Sequence, residues 1–118
     1  MRYLSIFTPA PRPAGTPMDP EVIRGMDKLV ADSMKAGTLV YTGGLVPIAK
    51  GGVRVRSEGR QIGIVDGPYA ETKELVGGFA ILEARDREHV TQLAREFLAV
   101  CGDGQCDIYP IMGPDAEC

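Results

Sequence analysis

One histidine, His89, and three cysteines, Cys101, Cys106 and Cys118, are all the imidazoles and thiols this chain contains. A multi-histidine zinc site cannot be assembled within one chain from a single imidazole, and haem or iron handling would have only His89 as a histidine ligand. The cysteines are odd in number and form no Cys-x-x-Cys pair, so no disulfide framework follows. They read as reduced thiols of a cytoplasmic protein. No clustered carboxylate motif calls for magnesium, and no cofactor is expected. No apolar run approaches the ~20 residues of a membrane span, and Arg2-Tyr3 lead into a strand-like segment rather than a signal-peptide core. Thirteen Lys and Arg against sixteen Asp and Glu leave a net charge of -3. That balance supplies no basic field for a polyphosphate backbone, so nucleic acid and membrane are both poor partners.

What remains is ordinary soluble composition, 44% hydrophobic and 25% charged in 118 residues. A single domain over 1–118 follows, long enough to bury a core without disulfide or metal. Residues 2–8 read as a strand that is apolar on both faces, Tyr3 and Phe7 alternating with Leu4 and Ile6. Residues 9–18 are a proline-rich loop. Asp19-Pro20 then starts a helix, an N-cap carboxylate followed by proline at the first helical position. Val22, Ile23, Met26, Leu29, Val30 and Met34 place its apolar stripe, and Gly37 closes it after Ala36.

Residues 38–46 read as a second strand, with a bulge or close backbone approach expected at Gly43-Gly44. After a loop at 47–52, residues 53–65 form a hairpin with Val53, Val55, Ile62 and Ile64 available to one face. A strand at 78–84, a helix at 87–101 capped by Asp86, and a last strand near 105–112 complete the chain. Pro110 pushes that last strand toward a sheet edge. The order β-α-β, hairpin, β-α-β predicts an α+β ferredoxin-like antiparallel sheet with both helices on one face. Two helices cover one face only, yet 2–8 and 78–84 are apolar on both, so a homodimer is expected to cover the other.

Residues 66–79, DGPYAETKELVGGF, stand apart from the rest. Asp66-Gly67-Pro68 is a turn signal, Glu71, Lys73 and Glu74 concentrate charge, and Gly77-Gly78 allow tight packing as the chain re-enters the sheet. Asp66 is either the carboxylate that caps this turn or a functional acid or base. Burial would raise its pKa and suit proton transfer, whereas backbone donors would lower it. Lys73 either holds an anionic substrate or pairs with Glu71 or a partner subunit. Tyr69 reads as an aromatic anchor at a loop or dimer contact, or as a substrate-binding side chain beside Lys73 and Arg56. Arg54 and Arg56 share one side of their strand, as charged edge protection or as a small anion-binding surface. His89 falls in the first turn of the second helix, where a neutral, hydrogen-bonded ring is expected. Tyr3 and Tyr41 read as core or interface aromatics.

The string from Val65 to Glu74, followed by Gly77-Gly78-Phe79, resembles the signature of DGPF-type proteins within the YCII-related family, with Tyr69 in place of the usual phenylalanine. The likeness runs over nearly the whole chain. It implies a dimeric α/β-barrel arrangement of ferredoxin-like subunits and no particular reaction. DGPF-type proteins often stand beside extracytoplasmic-function sigma factors, which implies an accessory role. The wider group includes proteins similar to a dehydrochlorinase with a His–Asp pair for proton transfer, but here the first helix carries no histidine. The leading expectation is a homodimer that binds a small molecule in a pocket near the 66–74 loop, in a non-catalytic or accessory role. The alternative is a cofactor-independent enzyme doing acid/base elimination or isomerisation on a small aromatic or carbonyl compound. Asp66 would then be the base, with Lys73 or Arg56 holding an anionic group.

Overall fold

Both helices start and stop where their capping chemistry dictates. In the computed structural model, which describes residues 1–11, 16–65 and 77–113, the first helix, α1, runs Pro20–Ala36. The Asp19 carboxylate accepts from the Glu21 amide at 2.9 Å, and Gly37, at φ 81°, returns its N–H to the Met34 carbonyl. The second helix, α2, runs Arg87–Cys101. Its N-terminus is capped twice: the Asp86 carboxylate accepts from the His89 amide at 2.8 Å, and His89 Nδ1 accepts from the Arg85 amide at 3.0 Å. His89 is therefore the hydrogen-bonded end piece its position suggested.

Among the described residues six strands accompany the helices: β1 (Arg2–Pro9), β2 (Leu39–Gly44), β3 (Arg54–Glu58), β4 (Gln61–Val65), β5 (Gly78–Glu83) and β6 (Gly104–Pro110). Four of them form one antiparallel sheet in the order β2-β5-β1-β6, the ferredoxin-like arrangement, with β6 and its Pro110 at an edge as expected. β2 is shorter than its sequence pattern. Its register slips between Leu39 and Tyr41, so the irregularity falls at Val40 and not at the glycine pair. Gly43 instead takes part in a close backbone approach to Gly78, the second possibility that the glycines raised. The 47–52 loop contains one turn of 3-10 helix at Ile48–Lys50.

The hairpin stands outside that sheet. β3 and β4 pair only with each other, joined by Gly59 and Arg60, both at positive φ (57° and 69°), the mirror-image turn that matches strand twist.

Cross-strand register sorts the main sheet into two faces. Tyr3 and Ser5 are buried toward α2, where Tyr3, Ala84 and Val90 form the core with Leu82, Leu93 and Ile108 around them. Phe7 continues that row and meets Phe97 edge-on, ring centroids 5.1 Å apart. The alternate set, Leu4 and Ile6 with Ile81, Phe79 and Tyr41, lies on the opposite face, which no helix among the described residues covers. At the rim, exposed Glu83 accepts from the Met1 amino group (3.1 Å) and from Arg2 Nε (3.3 Å). The amino terminus, and less so Arg2, holds its carboxyl below the ordinary value. No helix among the described residues is long and apolar enough to cross a membrane.

Candidate functional site

The apolar stripe of α1 faces the sheet across a cavity. None of its seventeen residues is fully buried, although the stripe is well formed. The helix is held from the side, where Gly25 comes so near α2 that a Cβ there would lie 2.9 Å from Val100 Cγ1. Between α1 and the sheet this leaves a cavity of about 620 Å³. Its roof is Val22, Met26, Leu29 and Val30, its floor is Ser5, Leu39, Thr42, Ala80 and Leu82, and α2 walls it with Leu93 and Phe97. Volumes of this order, walled by apolar side chains with a few polar groups, are typical of small-molecule sites.

The polar groups in this wall are few and mostly committed. Thr42 Oγ1 donates to the Phe79 carbonyl at 2.8 Å, and Thr38 Oγ1 donates to the Ser33 carbonyl at 3.3 Å. Cys101 and Cys106 also line the cavity. Burial pushes both thiols up from their ordinary value, and on Cys106 a hydrogen bond with Ser5 works against that. They remain protonated at neutral pH and make poor nucleophiles there. Asp27 and Glu96 are exposed residues that also contribute to the lining, and no Lys, Arg or His lines it among the described residues. Nor does any group of three or more His, Cys, Asp or Glu among those residues sit close enough to hold a metal ion.

Of the residues singled out in the sequence, Asp66, Tyr69 and Lys73 lie outside the described residues. Arg56 is on the hairpin, exposed, beside a shallow depression shared with Glu58 and Gln61, and it does not line the helix–sheet cavity. Tyr3 is core, whereas Tyr41 lies 59% exposed on the open sheet face, its ring 5.9 Å from that of Phe79. The link between the 66–79 stretch and the cavity is its end: Gly77 and Gly78 are part of the cavity wall. There the Gly77 amide donates to the Phe7 carbonyl at 3.0 Å, and its own carbonyl accepts from Leu45 at 3.1 Å. Sequence reasoning put Val22, Met26, Leu29 and Val30 on an apolar stripe without seeing a cavity there, and missed Ser5, Thr42 and Ala80 as lining residues. The one available signal was Ala80, a small side chain between Phe79 and Ile81 on a central strand.

The family model of the YCII-related domain matches residues 1–112. Among solved structures the chain is similar to a 5-chloro-2-hydroxyhydroquinone dehydrochlorinase from Burkholderia phenoliruptrix, in complex with 2,5-dihydroxybenzoquinone. The identity is 14%, the alignment covers 95% of this chain and 94% of that one, and the TM-score is 0.47. No curated protein matches the chain.

Proposed function

This chain belongs to the YCII-related domain family, and from that premise we propose that it is a homodimeric small-molecule-binding protein whose ligand occupies the cavity between α1 and the sheet. The cavity carries this reading. An amphipathic helix with no buried residue leaves its apolar stripe unsatisfied, and a bound apolar molecule would satisfy it. With no cationic side chain in the described wall, the ligand class that fits is neutral and largely apolar, oriented by a few hydroxyl and carbonyl contacts. Such a protein would act as a carrier or sensor, the accessory role that its resemblance to DGPF-type proteins implies.

The homodimer is supported by the shape of the single chain. Its radius of gyration is 16.7 Å, against roughly 13.5 Å for a compact domain of this length. The open face of the sheet, with Leu4, Ile6, Ile81 and Tyr41, is the surface for a second copy.

The test is a titration with neutral N-phenylnaphthylamine, followed by its fluorescence and by the melting temperature of the protein. Saturable binding with a blue-shifted emission is expected. At a ligand excess of about a hundredfold over Kd, stabilisation should approach ~2.7 kcal/mol. A panel of neutral aromatic compounds giving neither binding nor a thermal shift overturns the reading.

One observation favours a second reading, the cofactor-independent enzyme. The segment holding Asp66 and Lys73 runs directly into Gly77 and Gly78 of the cavity wall. On this reading Asp66 abstracts a proton and Lys73 steadies the charge that develops. Hydroxyquinones, enols and short carboxylates are the substrates to screen. Turnover of any substrate found should vanish in Asp66→Asn with the assembly intact, and turnover near the wild-type rate would remove Asp66 from the role.

A further inference from the structure

We propose that the β3–β4 hairpin is an arm whose apolar face docks on a second copy of this chain. The inference rests on the homodimer reading above but concerns a different surface. The ladder pairs Val55 with Ile64 and Ser57 with Ile62, so these four side chains share a face, and Val53 extends it. Val53, Val55, Ile62 and Ile64 are 60%, 59%, 76% and 67% exposed. The other face carries Arg54, Arg56, Glu58 and Gln61, with half-buried Val65 opposite Arg54 at its base. Alternation of this kind over most of the ladder is the pattern of a ribbon with one face in water and one face covered.

Nothing in the same chain covers it among the described residues: the hairpin pairs with no strand of the main sheet and packs extensively on no other element. A two-stranded hairpin is marginal by itself, so this one needs a surface to lie on.

Area and charge point to a second copy as that surface. The chain exposes 9072 Å², whereas a compact monomer of its mass exposes roughly 6,200 Å². A standard interface removes about 800 Å² from each partner, and obligate dimers remove up to about 2,500 Å². Part of that excess is the arm's own apolar face, which a sheet-to-sheet contact would leave in water and an arm laid across the partner would bury. The docking face holds no charged residue, so two copies of a chain with net charge -3 can meet there without like charges opposed. Two-fold symmetry then uses the arm twice in one closed assembly.

The experiment measures the dimer dissociation constant of the full chain by sedimentation equilibrium for three proteins: wild type, Ile62→Asp/Ile64→Asp on the arm, and Ile81→Asp on the open sheet face. Far-UV circular dichroism checks that each is folded; the arm variant changes no residue of the main sheet or helices. The expected result is a wild type near twice 12.7 kDa and an arm variant weakened about 100-fold or more, the size of effect that removing two buried anchors produces. An arm variant that associates as tightly as wild type, while Ile81→Asp falls apart, overturns the arm and leaves the dimer reading standing. The arm is likewise overturned if its variant melts lower with the dissociation constant unchanged, because the ribbon then lies on its own chain. A wild type that stays monomeric at tens of micromolar overturns both.

Discussion

Gly78→Ala should lower the melting temperature by about 10 °C or more, which thermal unfolding followed by circular dichroism or calorimetry will read directly. A Cβ at this position would stand 2.7 Å from the Gly43 carbonyl oxygen and 3.4 Å from Gly44 Cα. Both contacts are to the backbone of a strand held by its own ladder, so no side-chain rotation can relieve them. Forcing an extra carbon into a packed site costs ~1–3 kcal/mol, and a clash with backbone belongs at the upper end. In a domain of this length each kcal/mol is worth about 3–6 °C. Gly77→Ala should cost somewhat less, because its nearest contact is the Phe7 ring at 2.8 Å, although the Phe7 carbonyl at 3.1 Å gives no ground. Gly63→Ala is the control, since a Cβ there meets nothing within 4 Å and melting should be nearly unchanged. Equal melting of Gly78→Ala and wild type would mean that β2 and β5 do not run this close.

Ala80→Phe should reduce affinity for the neutral naphthylamine probe at least ~30-fold, a loss of about 2 kcal/mol, while the melting temperature stays the same or rises. Ala80 sits on a central strand and lines the cavity beneath α1. A phenylalanine ring there takes space the ligand would need. Most large additions to a core destabilise it by overpacking, but this one enters about 620 Å³ of existing room, where filling a cavity is favourable. Probe affinity that survives Ala80→Phe would place the bound probe elsewhere, with the open sheet face the first surface to examine. A sharp fall in melting temperature would instead show that α1 lies closer to the sheet than the structure has it.

The two substitutions probe parts of the protein that differed in how far the sequence disclosed them. Gly77-Gly78 sit at the end of a stretch that invited attention on its own, and their role as a close-approach pair was readable from the lack of a Cβ. Ala80 was not readable as a wall residue. Its cavity exists because α1 packs on α2 through Gly25 against Val100 while its apolar stripe stays only half-buried above the sheet. Val22, Met26, Leu29 and Val30 spell out which face of the helix turns inward but not how far it stands from the sheet. Arg56 shows the converse. Its strand and its side of the strand were legible, whereas its separation from the helix–sheet cavity follows from the hairpin lying outside the main sheet.

By itself the sequence determined the element order, both helix caps, the edge position of the last strand and the family. Each of these is written in local chemistry: a carboxylate at an N-cap, a glycine at a C-terminus, a proline that lacks an N–H, a run of residues with few alternatives. The face left open beside Leu4, Ile6 and Ile81 was legible too, since two helices cover one face and both strands are apolar on two; only the tertiary structure decided the height of α1 above the sheet and the isolation of the β3–β4 hairpin. Side-chain periods of 2 and 3.6 say which residues share a face. The distance between two faces depends on side chains contributed by segments far apart in the chain, and no local pattern contains that sum.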